Sequence, residues 1–185
     1  MLNDIKQDAQ QRMAKSVDAL RHELQRLRTG RASTALVENL KVSYYGSDVP
    51  ISQVANIAVA DARSLTITPW EKNMVQAVEK AILASDLGLN PTTAGTVIRL
   101  NMPQLTAERR KELAKHVAHE GENAKVAIRN IRRDAMHRVK ELLKDKKITE
   151  DEESRAEEDV QKLTDKFVKD VDVVVKAKED ELMAL

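Results

Sequence analysis

Three long segments of the chain repeat apolar residues at every third or fourth position, and this period limits the possible folds more than any other feature. Side chains at this spacing lie on one face of an α-helix. Each segment has only one such apolar seam, so the helices can bury their seams only on each other, and a three-helix bundle is predicted. The predicted seams are Ile5, Ala9, Met13, Val17, Leu20, Leu24 and Leu27 in the first segment; Leu113, Val117, Gly121, Ala124, Ile128, Ile131, Ala135, Val139 and Leu142 in the second; and Ala156, Val160, Leu163, Phe167, Val171, Val174 and Leu182 in the third.

The ends of these segments carry recognisable signals. The first period stops at Thr29-Gly30, where a glycine can terminate a helix. The second runs from Thr106 to Lys144. Thr149-Glu-Asp-Glu152 has the spacing of a capping box, in which a hydroxyl and a carboxylate each accept from the other residue's backbone N–H. The third helix is therefore predicted to begin there.

Residues 31–104 contain all four prolines and have no long helical period. Their short apolar runs, bounded by turn residues, are typical of strands. We therefore predict an α+β protein with a discontinuous three-helix bundle domain, residues 1–30 and 105–185, and an inserted β/α/β domain, residues 31–104. Strands are predicted at 40–44, 56–59, 64–68 and 97–102, with a turn at 45–48 and a helix near 72–85.

The chain passes twice between the two predicted domains, first at Gly30 and Arg31 and again at Gln104 and Leu105. Two thin connections with little shared core favour relative motion of the domains. These four residues are therefore predicted to form a hinge.

The net charge of +1 hides a strong sorting of charge along the chain. Residues 106–148 hold 13 basic and 7 acidic groups, whereas residues 149–185 hold 6 basic and 13 acidic groups. On a helix, several cations of the second segment lie within about 60° of Arg129 and form a basic stripe. A stripe of this kind is the electrostatic footprint of a nucleic-acid-binding surface. Its members are Lys125, Arg129, Arg132, Arg133, Met136 and Lys140.

A charged helix face is often no more than a solvated surface. Two observations favour phosphate binding for the stripe: arginine, whose fork suits phosphate, dominates its centre, and Arg129 has Lys125 and Arg133 four positions away instead of acidic residues. Arg28 and Arg31 are further candidates, although cations near a helix end also complement its dipole. The residues alone leave both interpretations open.

The sequence lacks the motifs of an enzyme. It contains no cysteine, no P-loop, no dinucleotide fingerprint and no nucleophile elbow, so neither catalysis nor a cofactor is expected. His116, His119 and Glu120 have a spacing near that of metal ligands, but solvated helix residues are the simpler interpretation. Trp70 is expected to serve packing. No apolar run reaches the roughly 20 residues of a membrane span, and a soluble cytoplasmic protein is expected.

Five motifs in this order resemble those of the bacterial ribosome recycling factor family, and the resemblance covers the whole chain. Gly121 departs from the pattern, because the family more often has alanine there and a glycine inside a helix costs about 1 kcal/mol. The motifs are Arg28-Thr-Gly-Arg-Ala-Ser33, Glu79-Lys-Ala-Ile82 with Ser85-Asp-Leu-Gly-Leu-Asn-Pro91, Leu105-Thr-Ala-Glu-Arg-Arg-Lys111, Arg129-Asn-Ile-Arg-Arg-Asp134 and Val160-Gln-Lys-Leu-Thr164.

The resemblance implies an L-shaped monomer that acts after termination of translation. With elongation factor G, which uses GTP, such a factor splits the post-termination ribosome and releases mRNA. The bundle would lie on large-subunit rRNA near the peptidyl-tRNA site. The family's RNA-contacting arginines correspond to Arg129, Arg132 and Arg133 in the stripe, with Arg28 and Arg31 in the first motif.

A second class of function remains open on the residues alone. A helical adaptor or scaffold could bind other proteins through the acidic third helix. Such an adaptor would bind its partners without ribosomal RNA, whereas a ribosome-binding factor would not.

Overall fold

The computed structural model describes residues 1–27 and 30–184. The chain divides into two compact units, one made of Met1–Arg28 and Ala107–Ala184 and the other of Thr29–Thr106. The α+β class predicted from the sequence is confirmed. In the described residues the α-helices are α1 (Leu2–Gln25), α2 (Val75–Ala84), α3 (Ala107–Lys144) and α4 (Glu150–Ala184), and the strands are β1 (Lys41–Tyr44), β2 (Ser47–Pro50), β3 (Ala55–Asp61), β4 (Ser64–Pro69), β5 (Pro91–Ala94) and β6 (Val97–Asn101).

The first unit is a bundle in which α1, α3 and α4 bury their apolar seams on one another. The seam of α1 is buried from Ile5 to Leu24, and that of α3 from Leu113 to Val139, as predicted. α1 ends at Gln25, before the predicted stop at Gly30. The last predicted seam residues, Leu27 and Leu142, are only half-buried.

The buried face of α4 differs from the prediction in its middle turns. Leu163 and Val174 are half-buried, whereas Thr164 is 4% exposed. The hydroxyl of Thr164 donates to the Val160 carbonyl at 2.9 Å, so the threonine can be buried without an unsatisfied polar group. The next buried residue after Val160 is therefore Thr164, four positions later, and not Leu163, which was predicted at three positions.

The capping box at the start of α4 is confirmed. The backbone N–H of Glu152 donates to the Thr149 hydroxyl at 3.2 Å, and the Thr149 N–H donates to the Glu152 carboxylate at 3.3 Å. These two bonds satisfy N–H groups that have no partner inside the helix. The capping box therefore marks the start of α4.

Gly121 of α3 faces Val175 of α4 at short range. A Cβ atom built on this residue would be 2.6 Å from Cγ2 of Val175, which is much closer than carbon atoms pack. Gly121 is buried, so no open space is available on that side of the helix. The absent side chain therefore permits the close approach, which explains why the seam has glycine where alanine would favour the helix.

The second unit contains two antiparallel sheets and one α-helix. β1 pairs with β2, and the larger sheet has the order β3-β4-β6-β5. The predictions missed β2 and β5. Both strands contain a proline and no buried residue, so neither shows the alternating apolar pattern of a half-buried strand. The core of the unit joins Val78 and Ile82 of α2 to Leu65, Ile67, Ile98 and Leu100 of the larger sheet.

The contact between Gly121 and Val175 leads to a prediction about stability. Gly121→Ala is expected to lower the free energy of unfolding by about 1 kcal/mol, because overpacking typically costs more than the roughly 1 kcal/mol that alanine adds to a helix. Urea denaturation followed by circular dichroism measures the change. In the double variant Gly121→Ala/Val175→Ala the penalty should disappear relative to Val175→Ala. A gain in stability from Gly121→Ala alone would show that Val175 moves aside without cost.

Candidate nucleic-acid interface

The basic stripe lies along the middle of α3, and three of its cations have no partner among the described residues. Arg129, Arg133 and Lys140 are exposed, and none forms an ion pair or hydrogen bond with the residues that the structure describes. The three positions lie within about 40° of one another around the helix. We refer to them below as the unpaired cations. Their charge is available to a ligand in solvent.

A shallow groove of about 310 Å³ opens on the same face of α3. Three of its five lining residues are arginine or lysine, and Met136, which is half-buried, is another. Guanidinium and ammonium groups around one groove form a suitable site for the oxygens of a phosphate backbone. The groove is lined by Arg132, Arg133, Met136, His137 and Lys140.

Lys125, also predicted to bind RNA, is engaged within the bundle. Its side chain is only 18% exposed, and its Nζ lies 2.6 Å from Oδ1 of Asp172 on α4 and 3.7 Å from the Glu122 carboxylate. The hydrogen bond to Asp172 is the main cause that raises the pKa of Lys125 above its usual 10.5. Its positive charge is therefore compensated by α4, unlike that of Arg129.

Arg132 lies at the boundary between the stripe and α4. Its Nη1 donates to Oε1 of Gln161 at 2.8 Å, and Nε2 of Gln161 in turn donates to Oδ1 of Asp165 at 2.9 Å. Arg132 is half-buried, and its Nε is buried without a hydrogen-bond partner. The guanidinium is thus held against α4 on one edge, in contrast to the fully solvated position that the sequence pattern indicates.

On the opposite flank, one arginine and one aspartate of α3 are paired with α1. Arg138 donates to Oδ2 of Asp8 at 3.1 Å, and Arg12 donates to Oδ2 of Asp134 at 3.1 Å. Asp8 also lies 3.8 Å from Nη1 of Arg12, so the four side chains alternate in charge. Carboxylates therefore compensate Lys125 on one flank and Arg138 on the other, whereas Arg132 has only the neutral amide of Gln161 as its partner. The unpaired cations lie between these two flanks.

Arg28 and Arg31 are the two arginines of the first motif. Arg28 lies outside the described residues. Arg31 is exposed and belongs to the second unit, Thr29–Thr106. Their participation in the same surface stays a prediction.

The predicted hinge residues lie close together within the second unit. Gly30 has a φ of +79°, and a Cβ atom built on it would be 3.4 Å from both Cγ of Leu105 and the carbonyl oxygen of Pro103. A positive φ is costly for residues with a side chain, so glycine suits this position. The side chain of Gln104 contacts Arg63. The two connecting segments therefore run side by side.

Trp70 does not serve packing, contrary to the expectation from the sequence. It is 66% exposed, and Tyr45, on the turn after β1, is 71% exposed. The hydroxyl of Tyr45 donates to Glu71 at 3.0 Å, so Tyr45 lies close to the residue that follows Trp70. Trp70 directly follows the last residue of β4. Its exposure could not be predicted from the sequence, because tryptophan is usually well buried.

The described residues contain no group of three or more His, Asp or Glu side chains that could hold a metal ion. His116, His119 and Glu120 accordingly do not form such a group. Within the described part of the chain, no helix is both long enough and apolar enough to cross a membrane.

Comparisons with known proteins agree with the motifs noted in the sequence. The family model described as ribosome recycling factor matches residues 20–183. The chain is 66% identical to the ribosome-recycling factor of Xanthomonas campestris pv. campestris (strain B100), over the full length of both chains. The chain is also similar to a solution structure of a ribosome recycling factor, with 46% sequence identity and a TM-score of 0.70. The match covers 100% of this chain and 98% of the chain in that structure.

A second solved structure adds a partner to the comparison. It contains the T. thermophilus ribosome recycling factor and E. coli elongation factor G bound to the E. coli post-termination complex. The match is 44% identical, covers 98% of each chain and has a TM-score of 0.60. The fold and the sequence both define a translation factor. The chain belongs to the ribosome recycling factor family.

The pair formed by Lys125 and Asp172 should make stability depend on alkaline pH. Because the folded state raises the pKa of Lys125, the pair stabilises the protein fully below about pH 10.5, and this contribution is lost as the pH rises through the raised value. Asp172→Asn is expected to move the pKa back toward 10.5 and to weaken the dependence. An NMR titration of the lysine side chain measures the pKa. Glu158→Gln, on an exposed position of the same helix, should leave it unchanged.

Proposed function

We propose that the chain is a cytoplasmic translation factor that, as a monomer, splits post-termination ribosomes together with elongation factor G and GTP. The family membership supports the role, and the structure of a relative with elongation factor G on the post-termination complex supports the partners. GTP would be used by elongation factor G, since this chain has no nucleotide-binding motif. The chain itself would perform no catalysis.

We further propose that α3 binds large-subunit rRNA near the peptidyl-tRNA site through the unpaired cations and Arg132. The observation that carries this proposal is the exposure of Arg129, Arg133 and Lys140 without an acidic partner among the described residues. Each cation that neutralises a phosphate releases counterions, which gives affinity that falls with salt. Lys125 would contribute less than its neighbours, because Asp172 already compensates its charge.

The length and rigidity of the bundle suit the transmission of force. α3 has 38 residues and is therefore about 57 Å long at 1.5 Å per residue. A long packed helix fixes the orientation of the docked surface, while the inserted unit receives the push from elongation factor G. The hinge at Gly30, Arg31, Gln104 and Leu105 would convert that push into a change of angle.

The adaptor hypothesis depends on the acidic α4. Several of its carboxylates are already used inside the bundle: Asp159 accepts from Lys6 at 2.6 Å, and Asp172 lies 2.6 Å from Lys125. These contacts leave less free negative charge on α4 than the sequence indicates. Binding to a protein partner that persists after the ribosomal RNA has been removed would favour the adaptor.

The double variant Arg129→Ala/Arg133→Ala tests the RNA-binding surface. It should weaken binding to isolated large subunits, and the slope of log affinity against log salt should become shallower by about 2, one unit for each lost phosphate contact. Its free energy of unfolding should change by less than about 0.5 kcal/mol for each site, as expected for exposed residues. Sedimentation binding at several salt concentrations and urea denaturation measure the two effects.

Arg12→Ala/Arg138→Ala is the matched control, since it removes the same charge from arginines that Asp8 and Asp134 already compensate. This control should keep the slope of the parent protein. If both double variants reduce the slope equally, the effect comes from net charge and the proposed surface is wrong.

A polysome-breakdown assay tests the function itself. Adding the protein with elongation factor G and GTP to polysomes with deacylated tRNA should convert them to monosomes and subunits, as seen by sucrose-gradient sedimentation. Leaving out any one of the three components should stop the conversion. Unchanged polysomes in the complete mixture would contradict the proposed function.

A further inference from the structure

The turn between β3 and β4 contacts both segments through which the chain enters and leaves the inserted unit. On the entry side, the Ala32 N–H donates to the Ala62 carbonyl at 2.8 Å. On the exit side, the Met102 N–H donates to the Arg63 carbonyl at 2.6 Å. The side chain of Arg63 adds a third contact: with the Gln104 amide oriented so that its oxygen faces the guanidinium, as the hydrogen-bonding pattern requires, this oxygen accepts from Nη1 and Nη2 of Arg63 at 2.6 and 2.8 Å.

The same turn, residues 61–64, is also held by hydrogen bonds within the turn and to the larger sheet. Oδ1 of Asp61 accepts from the Arg63 N–H at 2.9 Å, and this bond is the main cause that holds the pKa of Asp61 below its usual value. Ser64 is buried, and its hydroxyl donates to Oδ1 of Asn101 on β6 at 3.0 Å. The turn is therefore attached to the sheet on which both connecting segments rest.

We propose that the turn at residues 61–64 is a clasp that ties both connecting segments to the inserted unit and confines bending to the chain before Ala32 and after Gln104. Arg63 is the positioning residue of the clasp, because it contributes a carbonyl to one contact and a guanidinium to another. The inference rests on the hinge in the proposed function and narrows it on the exit side, because Gln104 is held to the inserted unit and bending begins at Leu105.

The clasp has a mechanical consequence. A force on the inserted unit reaches the bundle through two parallel segments, which are each held by one backbone hydrogen bond. Without the bidentate contact to Arg63, the exit segment would detach first from the turn at residues 61–64. The force would then extend the segment between the two units before it rotated the inserted unit. With the contact, the two segments move as a pair, and the applied force changes the angle.

Single-molecule energy transfer on the free protein measures the bending directly. The chain has no cysteine, so two introduced cysteines can be labelled without background. Lys169→Cys on α4 and Gln76→Cys on α2 place one dye on each unit at exposed positions. Arg63→Ala and Gln104→Leu should each broaden the distribution of transfer efficiencies relative to the labelled parent. Arg63→Lys, which keeps the charge without the fork, should also broaden it.

Lys80→Ala is the control, because it removes one positive charge from an exposed position of the same unit. It should leave the distribution unchanged. The combined variant Arg63→Ala/Gln104→Leu should broaden it no further than either single change, since both remove the same contact.

Hydrogen exchange separates release of the clasp from general loosening of the fold. In Arg63→Ala, exchange of the Met102 amide should become about tenfold faster, as expected when a supporting charged hydrogen bond is lost. The amide of Ile67, in the core strand β4, should keep its rate. Equal acceleration at both amides would mean that the unit is destabilised as a whole and would overturn the proposal.

The proposal would also be overturned if Arg63→Ala and Gln104→Leu left the distribution of transfer efficiencies unchanged, or if Lys80→Ala broadened that distribution equally. None of these measurements uses the ribosome. A parent protein that fails to break down polysomes would therefore defeat the proposed function while the energy-transfer result still decides the clasp.

Discussion

The mutual burial of three apolar seams is the constraint on which the rest of the bundle depends. Each helix has a single apolar face, and it can bury that face only against the other two helices. Because the seam of α3 must point inward, its opposite face must point to solvent, and Arg129, Arg133 and Lys140 lie there. The ion pairs between helices follow from this packing. They form where cations and carboxylates at the edges of the seams meet, and such exposed pairs add little stability by themselves.

The bundle could be predicted from the sequence because helical periodicity is local information. The seams of α1 and α3 repeat within each segment and need no knowledge of the partner helix. The prediction was wrong in α4, where an internal hydrogen bond lets Thr164 take a buried place that apolar Leu163 was expected to fill. The same limit applies to β2 and β5, whose strand structure is imposed by the neighbouring strands and not by their own residues.

The candidate site was predictable in kind but not in detail. An arginine-rich helix face indicates a phosphate-binding surface from composition and spacing alone. Which cations are unpaired depends on residues far away in the sequence. Asp172 compensates Lys125, Gln161 holds Arg132, and Asp8 compensates Arg138. Sequence spacing along α3 could show only that acidic residues four positions from Arg129 are absent, and it could not show what the other two helices contribute.

The pairing of cations on both flanks of α3 has a consequence for the lifetime of a complex. The unpaired cations form one narrow line of about 16 Å, from Arg129 to Lys140, in place of a broad basic surface. Such a line can engage few phosphates, and Asp172 and Asp8 reduce the attraction that Lys125 and Arg138 would add on its two sides. Rapid dissociation follows from this restraint. A factor that serves one ribosome after another needs to leave each of them, and on the proposed binding surface the carboxylates of α1 and α4 would shorten its stay.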